Sequence, residues 1–336
     1  MYPSRAVEKC RAALFCAALL AVSLPASEAR AGPRRLACEA ADLSGHFPDP
    51  PCRAQCGVDC CHGFAAVALA EAALFQRTGS KIALSEADLL LQWLKGRAAD
   101  KGQSWSEFWK GVSTEEHYGA AVSNLEGGLA DKSLQLILDN GIIADKPSGF
   151  RGFAAGYTRA REDRTLHDFE PEASLSRERG AADGAGRADL ARERLLIRRL
   201  LGAYKVRRVP LKTAWVETPP GEMAKEEKAG RFSDPWRRVE VDTALALSAE
   251  LCASRPVAVT LVKGFQSHVL ALTGFSEEGG ALAFRTRDSG EKKITALKER
   301  HLRLLDNDAY VLDLSPDAQP PSPEDLAALL ELAAPK

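Results

Sequence analysis

The chain has 336 residues, 45% of them hydrophobic, and a formal net charge of -1, enough apolar material for a full core and too little charge imbalance for disorder. Acid and base are nearly balanced and no basic stripe dominates, so there is no electrostatic ground for nucleic acid or an anionic membrane surface as partner.

Arg5, Lys9 and Arg11 precede an apolar run from Ala12 to Leu24, and small residues ending in Ala29-Arg30-Ala31 follow. This is the layout of a secretory signal over residues 1–31. The run is shorter than the roughly 20 residues of a membrane-spanning helix, and no later segment is long and apolar enough to span, so the mature chain is expected to be soluble and secreted or periplasmic. Of eight cysteines, Cys10 and Cys16 fall in the signal, leaving Cys38, Cys52, Cys56, Cys60, Cys61 and Cys252 in a compartment that permits disulfides.

Along the chain, Phe64, Val67, Ala68, Leu74 and Phe75 mark a helix from Cys61 to Thr78, with Gly79 where a C-terminal cap belongs. A second helix follows Ser85-Glu86 through Leu89 to Leu94. A third runs from Leu129 through Leu134 and Ile137 to the stop signal Asn140-Gly141. Residues 150–200 crowd Arg, Glu, Asp, Gly and Ala together and read as an inserted loop or surface helix. Strands follow at Tyr204–Val209, Pro256–Val262, Val269–Phe275, Leu282–Arg287 and Tyr310–Leu314, interrupted by a helix near Thr243–Ala253. Beyond Ser315 lie a proline-rich stretch and a short Leu/Ala helix. Helices first and strands second predict an α+β class.

The stretch from Gln55 to Phe64, QCGVDCCHGF, resembles the nucleophile segment of the papain and cathepsin family. There a glutamine stands six positions before a cysteine that opens a long helix, with phenylalanine three positions later; Gln55, Cys61 and Phe64 match. Ile82 to Leu89 is similar to the family's "LSEQEL" segment, and Leu125-Glu126-Gly127-Gly128 to its "CNGG" segment. Arg255 to Val259 is similar to the "GPV" strand, Ser267 to Phe275 to the "NHAVLAVGY" strand that bears a histidine, and Arg287-Asp288-Ser289-Gly290 falls where "KNSWG" belongs. The matches keep family order over most of residues 40–145 and 204–314.

The resemblance implies a papain-like two-lobed fold: a helical lobe over 32–149, a charged insert over 150–200, a lobe with an antiparallel, β-barrel-like sheet over 201–314, and a C-terminal tail over 315–336. The active cleft would lie between the lobes. It also implies a cysteine-type peptidase with Cys61 as nucleophile, His268 as general base and acid, Asp288 orienting the imidazole where the family carries asparagine, and Gln55 in the oxyanion hole. Gly127 and Gly128 would offer backbone hydrogen bonds to an extended peptide substrate. No metal or other cofactor is expected. The chemistry suits the placement, because a helix N-terminus and a nearby imidazolium both favour a thiolate over the thiol.

Several positions depart from the family. His62 stands where tryptophan usually follows the nucleophile, no tryptophan stands between Ser289 and Gly290, and the positions of the family's usual disulfide hold Val58 and Leu125, expected to pack against each other. Cys52, Cys56 and Cys60 fit local disulfides with Cys38 or Cys252 as further partners, or a strained Cys60–Cys61 bridge. Thiolate clusters also suit zinc or iron–sulfur centres, yet this spacing fits no common CxxC pair. A papain-fold protein that binds peptides without cleaving them is the reading from another class.

Overall fold

The computed structural model describes residues 36–48, 58–145, 149–178, 183–211, 213–217, 236–240, 242–263, 266–278, 281–289 and 295–333. The helix that organises them is α1, Cys61–Thr78, buried on every side from His62 to Leu74. An α-helix apolar all round belongs inside a core rather than on a surface. Its one buried acid, Glu71, accepts the Leu84 backbone N–H at 3.0 Å and the Arg287 guanidinium at 3.1 Å, which offsets the cost of burying the charge. Gly79, in the left-handed region, ends the helix by donating its N–H to the Phe75 carbonyl.

Four helices follow: α2 (Glu86–Asp100), α3 (Trp105–Ser113), α4 (Tyr118–Glu126) and α5 (Ala130–Asn140). The Ser85 hydroxyl caps α2 by accepting the Asp88 N–H, and Ser104 with Glu107 forms a reciprocal capping box on α3. Gly141 closes α5 at φ 73°, and a Cβ there would come within 1.9 Å of the Arg194 carbonyl oxygen. Conformation and close approach therefore both demand glycine.

Residues 149–201 differ from the expected loop or surface helix. They form α6 (Gly149–Glu162), α7 (Pro171–Glu178) and α8 (Asp183–Leu201), and Phe150, Phe153, Tyr157, Leu166, Ile197 and Leu201 are buried. Among the described residues, charges such as Arg151, Asp189 and Arg192 are exposed, while others turn inward: Arg194 pairs with buried Asp88, and Arg161 with buried Glu126.

Next come β2 (Tyr204–Pro210), the pair β3 (Thr213–Glu217) and β4 (Trp236–Glu240), α9 (Thr243–Cys252), β5 (Val257–Lys263), β6 (Gln266–Glu278), β7 (Ala281–Arg287), β8 (Ala296–Lys298) and β9 (Leu305–Leu314). The main sheet is antiparallel in the order β2-β9-β5-β6-β7-β8, an open path rather than a closed barrel. A two-residue strand, β1 (Ala41–Asp42), pairs with β6 at Phe275 and Gly274. The C-terminal helix α10 (Pro323–Ala333) packs on the core through Leu329, and its Asp325 pairs with Arg199 of α8 at 2.6 Å. The class is α+β, as the helix-then-strand order predicts.

The apolar residues form two clusters. One joins α1, α5, the end of α8 and the sheet; the other joins α2, α3, α4, α6 and α7. Val58, Cys60 and Phe64 belong to the second and Cys61 packs against the first, so the start of α1 lies on the seam. Val58 and Leu125 share the second cluster, where apolar packing stands in place of a covalent link. The described residues contain one disulfide, Cys38–Cys252, while Cys60 and Cys61 are free thiols. The Cys60–Cys61 bridge is thus absent, and Cys60 lies buried in an apolar cluster instead. Cys52 and Cys56 lie outside the described residues.

Candidate active site

Three of the singled-out residues come together from distant parts of the chain. Cys61 is the first residue of α1, where unsatisfied N–H groups and the macrodipole give a positive end. His268 is the third residue of β6, opposite Leu261 of β5, and the next residue, Val269, places its backbone N–H 3.4 Å from Cys61 Sγ. Asp288 follows the end of β7, a strand held antiparallel to β6 with Ala271 opposite Arg287.

The His268 Nε2 atom lies 2.6 Å from Asp288 Oδ1, at the short end for a bond between an imidazolium and a carboxylate. Asp288 is 3% exposed. Cys61 is the other group that acts on the imidazole, and with Nε2 committed to Asp288, Nδ1 is the nitrogen left to face a partner. These two partners, Asp288 first, raise the His268 pKa from 6.5 to about 10 against the opposing effect of burial. The ring therefore holds its proton across the neutral range, between a carboxylate on one side and a sulfur on the other.

The two adjacent cysteines differ sharply. Cys60 is buried, and burial followed by the Glu126 charge pushes its pKa well above the ordinary thiol value. Cys61 is partly exposed and faces His268. Only the second has the access and the partner that a reactive thiol needs.

His62 lies in the core, one of the placements open to it from sequence. Its Nε2 lies 2.8 Å from the Glu126 carbonyl oxygen and its Nδ1 2.6 Å from Ser133 Oγ. A carbonyl only accepts, so Nε2 carries the hydrogen and Nδ1 of the neutral ring accepts the Ser133 hydroxyl. Burial lowers the His62 pKa and keeps the ring neutral. The ring also packs against Trp93 in a tilted contact with centroids 4.9 Å apart, and Trp93 donates its indole N–H to the Leu125 carbonyl at 2.9 Å.

Gly127 and Gly128 sit directly after α4, beside this histidine. Gly127 caps α4 by donating its N–H to the Ser123 carbonyl. A Cβ on Gly128 would stand 2.6 Å from Trp93 and 2.8 Å from His62, so the approach of this loop to His62 depends on glycine. Gln55 lies outside the described residues.

Sequence reasoning passed over Glu126, Arg161, Trp93 and Ser133. Glu126, with no side-chain exposure, accepts the Asp59 N–H at 3.0 Å and pairs with Arg161 at 3.1 Å. The one available signal was a lone acid beside two glycines, and nothing in the sequence says that it points inward.

No protein-family model matches the chain and no curated protein matches it. Among solved structures it is similar to a digestive procathepsin L 3 from Tenebrio molitor larval midgut, with 12% identity over 83% of this chain and 71% of the other, at a TM-score of 0.40. The proform of the ragweed pollen cysteine protease Amb a 11 gives 15% identity over 85% and 69%, at 0.40. Bromelain from Ananas comosus, in complex with the E64 inhibitor, gives 12% identity over 83% and 100%, at 0.38.

Proposed function

We propose that this chain is a papain-like cysteine peptidase, with Cys61 as nucleophile, His268 as general acid and base, and Asp288 holding the imidazole. The observation that carries the reading is the grouping of Cys61, His268 and Asp288: a partly exposed thiol at a helix N-terminus, held by the backbone N–H next to an imidazole that is itself hydrogen-bonded at 2.6 Å to a buried carboxylate. Nucleophile, base and orienting group in that order are the arrangement that acyl transfer needs.

The reaction runs through a thiolate of Cys61 paired with the His268 imidazolium, a pair that Asp288 and the helix terminus favour. The thiolate attacks the peptide carbonyl carbon, and the carbonyl π electrons move onto oxygen. The Cys61 backbone N–H faces that oxyanion, and by resemblance the Gln55 amide supplies a second donor. Collapse of the adduct breaks the C–N bond as His268 gives its proton to the leaving amine, forming a thioester. The neutral His268 then takes a proton from water, whose oxygen attacks the thioester; the acid product leaves and Cys61 returns as thiolate paired with the imidazolium.

Gly127 and Gly128 are the proposed backbone partners of an extended peptide substrate. The Cys38–Cys252 disulfide and the signal-like N-terminus support a secreted or periplasmic setting. Among the described residues no helix is long and apolar enough to cross a membrane.

The test is hydrolysis of denatured casein by the full chain under reducing conditions. Cleavage that disappears in both Cys61→Ala and His268→Ala is expected. Cleavage that survives either substitution refutes the assignment, and a wild-type chain that binds the substrate without cutting it points to the binding-protein reading instead.

A further inference from the structure

We infer that Glu126 is a positioning residue for the nucleophile: its buried carboxylate, held by Arg161, fixes the turn from which Cys61 emerges. The inference rests on the reading of Cys61 as nucleophile.

The residue before α1, Cys60, offers no side-chain cap to the helix. A helix start without such a cap relies on neighbouring elements to fix the chain that leads into it. Here the turn is held from outside. The Asp59 N–H donates to Glu126 Oε2 at 3.0 Å on one side of Cys61, and the His62 ring bonds the Glu126 carbonyl at 2.8 Å on the other. One residue of α4 therefore grips the chain on both sides of the nucleophile, two residues before it through the side chain and one residue after it through the backbone.

The cost of the arrangement argues against a passive role. A carboxylate with no solvent exposure is expensive to bury, and an apolar side chain in the same cluster would often be as stable or more so. Glu126 stays tolerable because Arg161 reaches both of its oxygens, at 3.1 and 3.2 Å, from α6. The same charge, near Cys60, adds to the burial that keeps that thiol protonated. What an apolar residue could not supply is an acceptor for the Asp59 N–H at a fixed point. The distance from Cys61 Sγ to the imidazole is sensitive to that point, since Cys61 lies only two residues further along.

Reactivity separates positioning from mere support. At pH 6 an ordinary thiol of pKa ~8.5 is almost wholly protonated, so alkylation of Cys61 by iodoacetamide reports the thiolate–imidazolium pair. The full chain, Glu126→Gln and Glu126→Ala are treated below their unfolding temperatures, and the rate of adduct formation at Cys61 is followed by mass spectrometry. Glutamine keeps one acceptor but turns an amide N–H toward a donor, and alanine leaves none. The expected order is wild type, a fall of about tenfold for Glu126→Gln, and about a hundredfold for Glu126→Ala, the scale of an ångström-sized misplacement, with kcat falling alike and KM nearly unchanged. Folded variants alkylated at the wild-type rate overturn the inference, whatever their loss in melting temperature. If Glu126→Ala does not fold, Glu126→Gln decides: a tenfold fall supports the role, and an unchanged rate overturns it. A wild-type Cys61 that fails to react at pH 6 overturns the nucleophile reading instead, a distinct result.

Discussion

Replacing Asp288 by asparagine removes the first cause of the raised His268 pKa while leaving an oxygen that can still accept the Nε2–H bond. The carboxylate stands 2.6 Å from Nε2 and is buried, and with Cys61 it brings the imidazole from 6.5 to about 10. A close opposite charge moves a pKa by ~1–3 units, so Asp288→Asn is expected to bring His268 to between ~7 and ~9, the effect of Cys61 being retained. At ~1.4 kcal/mol per unit, the imidazolium loses ~1.4–4 kcal/mol of its preference. Proton donation to the leaving amine requires that imidazolium, so the alkaline limb of kcat/KM on a peptide amide substrate follows the His268 pKa. The wild-type limb is expected near pH 10 and the variant limb lower by the same ~1–3 units. Stability moves in the same sense. A histidine whose folded pKa lies above its unfolded value contributes stability fully present below about 6.5 and lost as pH rises toward about 10. The melting temperature of the wild type should thus fall across that window, and the variant should lose less over a narrower one. Coincident alkaline limbs in the two proteins would refute the reasoning.

Gly128→Ala drives a Cβ to 2.6 Å from Trp93 and 2.8 Å from His62, and relieving that overlap must shift the chain near Glu126 or turn the ring. A destabilisation of ~1–3 kcal/mol is expected, measured by urea unfolding. Reducing the Cys38–Cys252 bridge, or making Cys38→Ser, opens a loop with a sequence separation of 214. The expected loss is ~2–5 kcal/mol in the same assay. Among the described residues, neither cysteine of the bridge bonds Cys61 or His268, so the alkylation rate at Cys61 below the unfolding transition should stay at the wild-type value.

Much of the fold was legible because its signals are local. The boundaries of α1, from Cys61 to Thr78 with its Gly79 cap, match the periodic stripe and the glycine, and the stop at Asn140-Gly141 likewise ends α5. The strands that carry His268 and lead to Asp288 announce themselves through short apolar stretches with β-branched and aromatic members, Val269 to Phe275 and Leu282 to Arg287. Residues 149–201 were opaque because helices there alternate apolar and charged residues at a spacing whose inward face only tertiary packing selects; Phe153 and Tyr157 are buried while Arg151 is exposed. Cys61, His268 and Asp288 could be proposed from family order, but the contacts among them depend on β6 and β7 being antiparallel neighbours beside α1. The Glu126–Arg161 pair spans 35 residues and lies between helices that no local pattern relates. The Cys38–Cys252 pairing, 214 residues apart, was one of several that the cysteine count allowed.

The most direct measurement is active-site titration of the reduced chain with an epoxide inhibitor that alkylates papain-like nucleophiles, the adduct then being located by mass spectrometry. The account predicts one adduct per chain, on Cys61, absent from Cys61→Ala and retained in Cys60→Ala. An adduct on the buried Cys60, or no adduct under reducing conditions, would contradict it.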